Sequence, residues 1–487
     1  MGPVTEKRES FTAIVGRSAF LLALASVAFT IPGIVRTKLS ALFFGEQGIA
    51  LFGQLSQMQT LLISIGAAGL VTATRVVLSR PQQSPERTAR LQSWCLWFPF
   101  AGSLVLGCVL AVLAPLLSSA LLGSAHFASE VVFAALGIPF AVSGQIAIAG
   151  AQARGSRLML VAAAGGSAMI GSFVVWMCMN TRDQGIGSIS FIAAPAIQLF
   201  FVVLVCAPVR KAIFSLPWIS RSLAKEVIVI AWASAVLAIC ASLADLFSRS
   251  LIVHFHGLSS LASYQPVATL VTQLVSIGLS ALATASLVEL SQVRDRLQIA
   301  DMVVDLERRY IPLIGIFCAL LLSASPLLVR IFFTAALWHS AYPIMAVAVA
   351  FETVRAAVWI AGSAFLPNGM RMAWLFNGLL TVITQVSFVL ALSFFMGPIS
   401  LSIGFAFANI VSLVVTVLLL KRAGIRVGMA TTVRPFAIAA VVLLSSLWSV
   451  TILGLVVTGP LLCAVIIAVV VVAQRFTTLR NGREMCE

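Results

Sequence analysis

Charge is scarce in this 487-residue sequence, and acid is scarcer than base. Only 10% of the residues are Asp, Glu, Lys or Arg, with 16 acids against 31 bases. Soluble domains carry about 25% charged residues, so a soluble globular enzyme is excluded. Histidine is also rare: His254 and His256 share one segment, and two imidazoles without carboxylate help do not make a zinc site. The eight cysteines are scattered, with Cys95, Cys108, Cys178, Cys206, Cys240, Cys318 and Cys463 inside apolar stretches and Cys486 in the tail. No CxxC pair or Cys/His cluster occurs, so metal and disulfide frameworks are not expected. A Walker A loop, a GxSxG elbow and an HExxH helix are all missing, which argues against an enzyme and against an intrinsic ATPase. The polar segment before the first apolar run predicts no cleavable signal peptide.

What is abundant is hydrocarbon: 60% of the residues are apolar and the mean hydropathy is +1.08. A bilayer-crossing helix needs about 20 such residues, and the pattern predicts an all-α polytopic membrane protein. Fourteen stretches qualify: 17–43, 49–79, 92–120, 127–150, 158–180, 188–208, 227–251, 264–288, 311–333, 343–366, 372–396, 400–420, 435–456 and 459–474. Twenty-four of the 31 bases fall in alternate loops, among them Arg80, Arg87, Arg154, Arg210, Lys225, Arg294, Arg309, Arg371, Lys421 and Arg480. The other loops hold only Arg182 and are all short. Retention of Lys and Arg on the cytoplasmic side predicts that both termini are cytoplasmic, with anionic lipid at that face. The net charge of +15 is therefore mostly topological. No basic run is interleaved with stacking aromatics, so no nucleic-acid partner is expected.

The sequence repeats internally. At an offset of 212 residues, 13 of the 35 positions in 45–79 are identical, including Gly45 with Gly257, Gly66 with Gly278 and Thr72 with Thr284. The offset places span 2 on span 8, so each unit has six spans, an even number. Two such units share one orientation and form lobes related by an axis along the membrane normal. The expected division is 1–210 for the first lobe and 211–226 for a cytoplasmic linker containing Pro217. The second lobe follows at 227–420, a cytoplasmic loop at 421–434, and two extra helices with a tail at 435–487. Pro32-Gly33, Pro139, Pro195 and Pro266 mark places where spans can bend.

A few charges remain in or near the spans. An ionisable group at mid-bilayer costs roughly 2.5–3.5 kcal/mol on insertion scales and must face water or a partner. Arg36 and Lys38 lie shortly before Gly45, and Arg249 falls on Thr37 in the repeat, so both halves carry a cation at one depth. Two readings stay open, a basic cavity for an anion and snorkelling to the headgroups. Arg75, one turn inside the other end of span 2, carries the same ambiguity, as does Arg330. Asp245 precedes Arg249 by four residues and Glu352 precedes Arg355 by three, spacings that put acid and base on one helix face. They are either ion pairs that reduce the cost of burial or a proton or cation site.

The stretch from Lys38 to Val71, KLSALFFGEQGIALFGQLSQMQTLLISIGAAGLV, continuing as TATRVVLSR to Arg80, resembles the first-loop and second-helix signature of polysaccharide flippases. These carriers of O-antigen and common-antigen type belong to the MOP (multidrug, oligosaccharidyl-lipid, polysaccharide) superfamily. SRSLIVHFHGLSSLASYQ, from Ser248 to Gln265, resembles the family's seventh helix and the loop after it. The resemblance implies a two-lobed, MATE-like carrier in the bacterial inner membrane. It implies flipping of undecaprenyl-pyrophosphate-linked glycan to the periplasmic leaflet, driven by a proton or sodium gradient, beside polysaccharide polymerase machinery. On the family pattern Arg36, Lys38 and Arg249 meet the pyrophosphate, and Glu352 with Arg355 looks like an acid–base pair of the tenth helix. A drug or metabolite antiporter and a non-transporting scaffold are the alternatives; six intramembrane cations against two deep acids favour an anionic cargo over a cationic drug.

Overall fold

The computed structural model describes residues 2–78, 85–215, 217–279, 282, 296–365, 368–425, 429–448, 460, 461 and 463–468. Side chains at 2–19, 85, 296, 297, 429–432 and 448 are excepted. The architecture is all helical, as the unbroken hydropathy requires: in hydrocarbon a single strand cannot satisfy its backbone, whereas a helix does so internally.

The first lobe begins with α1 (Gly2–Ala67), which holds two spans meeting at Gly45. There φ is 64° and ψ is −152°, a backbone that strains residues with a Cβ. Span 2 continues past Gly69 into α2 (Leu70–Leu78). Span 3 is α3 (Pro85–Val112) extended by α4 (Ala114–Leu122). After a 3₁₀ turn at Ala125–Phe127, span 4 is broken at Gly137 into α5 (Ala128–Leu136) and α6 (Ile138–Ala153), with Pro139 in the first turn of α6. Span 5 is α7 (Arg157–Asn180), and span 6 comprises α8 (Gln184–Ser188) and α9 (Ser190–Val205). The short α10 (Ala207–Ile213) leads towards the second lobe.

That lobe opens with α11 (Arg221–His256), capped by Ser220 through its bond from the Leu223 amide. A 3₁₀ turn at Leu258–Ser263, Pro266 and a π-helical stretch at Val267–Gln273 start span 8. Spans 9 to 12 are α12 (Arg296–Phe332), α13 (Trp338–Gly362), α14 (Arg371–Met396) and α15 (Ile399–Arg422). Then comes α16 (Met429–Trp448).

Among the described residues, ten helices are long and apolar enough to cross a bilayer. The difference from fourteen has three sources. α1 counts once although Gly45 divides it, and the described parts of spans 8 and 13 are short. Half of the expected span 459–474 lies outside the described residues.

The backbone extends the repeat well beyond the identical residues. Gly257 matches Gly45, with φ 81° and ψ 163°. The 3₁₀ turn at Ala125–Phe127 has its counterpart at Ala335–Leu337. Positive φ recurs at Gly155 and Gly369 between spans 4 and 5 and spans 10 and 11, and at Arg182 and Gly397 in the last loop of each unit. We call the end bearing Gly45, Gly123, Gly257 and Gly397 the upper end. The chain is thus two six-helix lobes in parallel repeat.

The lobes are joined by exchange of core residues. Leu223, Val227, Ala231 and Leu246 of α11 are buried in the first lobe's core with Leu55, Val77 and Val142. Ala41, Ile49 and Ala50 of α1 are buried in the second lobe's core with Ile252, Val349 and Leu322. At the lower end the approach is closest: a Cβ on Gly69 would lie 2.0 Å from the Ala231 carbonyl oxygen. Helix α16 is integrated into the second lobe. The Pro435 carbonyl accepts from Thr353 Oγ1 at 3.1 Å, and Ala439 and Val442 are buried.

Gly69→Ala should therefore destabilise the lobe interface. Its left-handed backbone alone costs about 1–2 kcal/mol with a Cβ, and the contact with Ala231 adds to it. The check is a lower Tm of the purified protein, while Gly165→Ala, where nothing lies within 4 Å, should leave Tm close to wild type.

Candidate functional site

A guanidinium or carboxylate on a bilayer-crossing helix must be compensated within the protein. The two lobes do this differently. In the second lobe the charges form two ion pairs. Arg249 of α11 is 6% exposed and lies 3.7 Å from Asp245, one turn before it, with its guanidinium 5.1 Å from the Tyr264 ring centroid. Gln385 of α14 donates to Asp245 Oδ1 at 3.4 Å. Glu352 and Arg355 of α13 are ion-paired at 2.6 Å, with Glu352 fully buried and Arg355 framed by Phe405 and Trp359. The predicted spacing brings each pair together, and their charges sum to zero.

Exposure separates the two acids. The Asp245 side chain is 32% exposed, whereas that of Glu352 is at 0%. Of the two, Asp245 is the one that reaches the protein surface. Glu352 Oε1 and Arg355 Nε have no hydrogen-bond partner, which makes this pair costly to disturb.

Among the described residues no ion pair involves Arg36, Lys38 or Arg75 of the first lobe. Arg36 donates to Ser56 Oγ at 3.0 Å and stacks 3.8 Å above the Phe191 ring, a neutral cradle that leaves its charge uncompensated. Lys38 points elsewhere: its Nζ donates to the carbonyls of Phe333 at 2.7 Å and Arg330 at 3.3 Å, in the opposite lobe. Arg75 of α2 turns into its own lobe, where Nε donates to Gln152 Oε1 at 2.9 Å. The structure therefore pairs Arg249 with Asp245 and separates the directions of Arg36, Lys38 and Arg75. Residues that the sequence reading does not single out supply much of the surroundings: Ser56, Phe191 and Gln385. Ser56 and Tyr264 lie within the stretches Lys38–Val71 and Ser248–Gln265, though neither is singled out there.

Among the described residues no group of three His, Cys, Asp or Glu could hold a metal ion. His256 closes the upper end of α11, with Nε2 2.7 Å from the Ser393 carbonyl. Seven cysteines are free, and Cys95, Cys206, Cys318 and Cys463 are buried.

No protein-family profile matches the chain, and no curated protein matches it by sequence. Solved structures do match along nearly the full length. The lipid II flippase MurJ in an inward closed conformation aligns with a TM-score of 0.70 and 13% identity, covering 94% of this chain and 99% of that one. A Vibrio cholerae MATE transporter aligns at 0.63 and 14%, covering 85% and 97%. A MOP-superfamily transporter from Pyrococcus furiosus aligns at 0.61 and 14%, covering 84% and 95%. The fold is that of the MOP-superfamily transporters, and these neighbours are transporters rather than enzymes. With ten helices long and apolar enough to cross a bilayer among the described residues, this is a multi-pass membrane protein on the fold of those structures.

Breaking the buried pair separates structure from function. Glu352→Gln leaves Arg355 buried without its counter-charge and should destabilise the protein by about 3 kcal/mol, the scale of an orphaned buried ion. Removing both charges, as Glu352→Gln with Arg355→Met, should recover most of that loss. Thermal unfolding of the three proteins in one detergent is the measurement.

Proposed function

We propose that this protein flips an anionic, lipid-linked oligosaccharide, of the undecaprenyl-pyrophosphate type, between the leaflets of the bacterial inner membrane. The upper end is then periplasmic and the termini and basic loops cytoplasmic. The lobes rock about their shared interface, with the diphosphate head between them and the lipid tail in the bilayer.

The observation that carries this reading is the distribution of compensation. Asp245 and Glu352 are both engaged by arginines, whereas among the described residues Arg36 meets a hydroxyl and a ring and no acid. A site of this sign suits phosphate oxygens, which accept charge-assisted hydrogen bonds from guanidinium. A carrier of cationic drugs needs an available carboxylate instead, so the antiporter alternative fits these residues less well. The near-complete match to a protein named a lipid II flippase supports a lipid-linked cargo. Arg36 is the first contact on this view, joined by Lys38 and Arg249 as the lobes move; Arg75 serves the lower mouth. Asp245, reachable and held by Gln385, is the coupling position for a proton or sodium ion. Glu352 and Arg355 hold the lobe in the state that makes Asp245 available. Polysaccharide polymerase machinery is the partner at the periplasmic face.

In cells dependent on this protein for surface polysaccharide, Arg36→Ala should reduce export at least tenfold with the protein level in the membrane unchanged. The triple variant with Lys38→Ala and Arg249→Ala should abolish it. Normal surface polysaccharide in the triple variant rules the cargo site out. For coupling, Asp245→Asn should remove the dependence of flipping on the ion gradient in proteoliposomes. Gradient-dependent flipping that survives the substitution rules out that role.

A further inference from the structure

The upper end of the lobe interface is held by two polar bridges that the repeat relates to one another. In the first, Lys38 of span 1 crosses to the last turn of span 9, donating to the carbonyls of Arg330 and Phe333 in the other lobe. These are carbonyls at the C-terminal end of α12, which have no partner within the helix and sit at the negative end of its dipole. In the second, the residue in Lys38's place is Ser250, 212 positions later on span 7. Serine is too short to span the gap. Gln54 of span 2 fills it, its Nε2 donating to Ser250 Oγ at 3.1 Å and to the Leu121 carbonyl at 3.4 Å. Leu121 lies in the last turn of α4, the upper end of span 3, which is span 9's counterpart. Each side of the interface thus ties span 1 or its repeat to the upper end of span 9 or its repeat, once with an ammonium and once with an amide and a hydroxyl.

We propose that these two bridges are the upper gate of the protein: Lys38 with the end of α12, and Gln54 with Ser250 and the end of α4, must both part for the lobes to open at this end. This builds on the rocking reading above but concerns the gate rather than the cargo. Opening separates α1 from α12 and α1 from α11, so neither bridge survives it. The bridges differ in strength, since hydrogen bonds from a charged group are worth about twice those between neutral groups. The Lys38 side dominates the closed state, and the Gln54 side sets its remainder.

The gate can be tested without transport. Spin labels at Ala125→Cys and Ala335→Cys, exposed residues of the two equivalent upper turns, report the separation of the lobes in lipid nanodiscs. The native cysteines are replaced in that background, and pulsed dipolar distances are recorded. Lys38→Met should raise the ratio of open to closed distances about tenfold or more, and Gln54→Ala by a few-fold, the factors expected for charged and neutral hydrogen bonds. Ser250→Ala, which removes only a hydroxyl, should match Gln54→Ala, and Lys38→Arg should stay near wild type. Distance distributions identical to wild type in Lys38→Met, Gln54→Ala and Ser250→Ala overturn the proposal. So does a shift in Lys38→Met that Lys38→Arg reproduces in full, since that would trace it to altered packing. Should Lys38→Met not fold, the Ser250→Ala and Gln54→Ala distributions decide alone. Loss of export in cells with unchanged distances would leave the cargo reading standing and refute the gate.

Discussion

The compensation of charge inside a bilayer-crossing scaffold is the constraint from which the rest of this structure follows. Hydrocarbon offers no water to an arginine, so each intramembrane cation must be met by an acid, an aromatic face, a carbonyl or a ligand. The second lobe uses acids: Asp245 for Arg249, which also faces the Tyr264 ring, and Glu352 for Arg355. The first lobe uses a ring, a hydroxyl and an amide, for Arg36 and Arg75. Lys38 uses the carbonyls of the opposite lobe. Two lobes of one fold thereby meet their deep arginines differently, with carboxylates at Arg249 and Arg355 and with neutral groups at Arg36 and Arg75.

The same constraint shapes the packing. Because polar links are few, the lobes meet through small residues and exchanged core side chains. Gly69 lets span 2 approach the Ala231 carbonyl, and Gly53 receives Gln265, whose Oε1 would lie 2.3 Å from a Cβ there. Ser64 and Ser242 hydrogen-bond at 3.0 Å on the same seam. These contacts lie along span 2 where it meets spans 7 and 8.

The sequence makes most of the fold legible, for physical reasons. Span positions follow from runs of hydrocarbon, and the parallel repeat follows from identities around Gly45 and Gly257 together with an even number of spans per unit. The acid–base pairs follow from helical spacing alone, since Asp245 and Arg249, or Glu352 and Arg355, face each other on any α-helix. What is not legible is where a long flexible side chain goes. Arg36 and Lys38 are two residues apart and so leave the helix on different sides; one finds Ser56 and Phe191 in its own lobe, the other Phe333 across the interface. The depth of a residue can be counted along a helix, but its direction depends on neighbours far away in the chain. Gln54 is the clearest case: it lies within the stretch Lys38–Val71, but nothing in that pattern shows that it spans a gap left by a serine in the repeat.

The parallel sense of the repeat has a consequence for ancestry. A unit with six spans inserts in one orientation however many copies are joined, so duplication and fusion cost no inversion of topology. A free ancestral unit would have met its twin through the surface that now joins the lobes, with each contact occurring twice about the axis, as in any isologous dimer. Once fused, the copies were released from that identity. Lys38 and Ser250 mark the divergence: one place in the ancestral interface, two residues today, and a symmetric pair turned into a strong and a weak half.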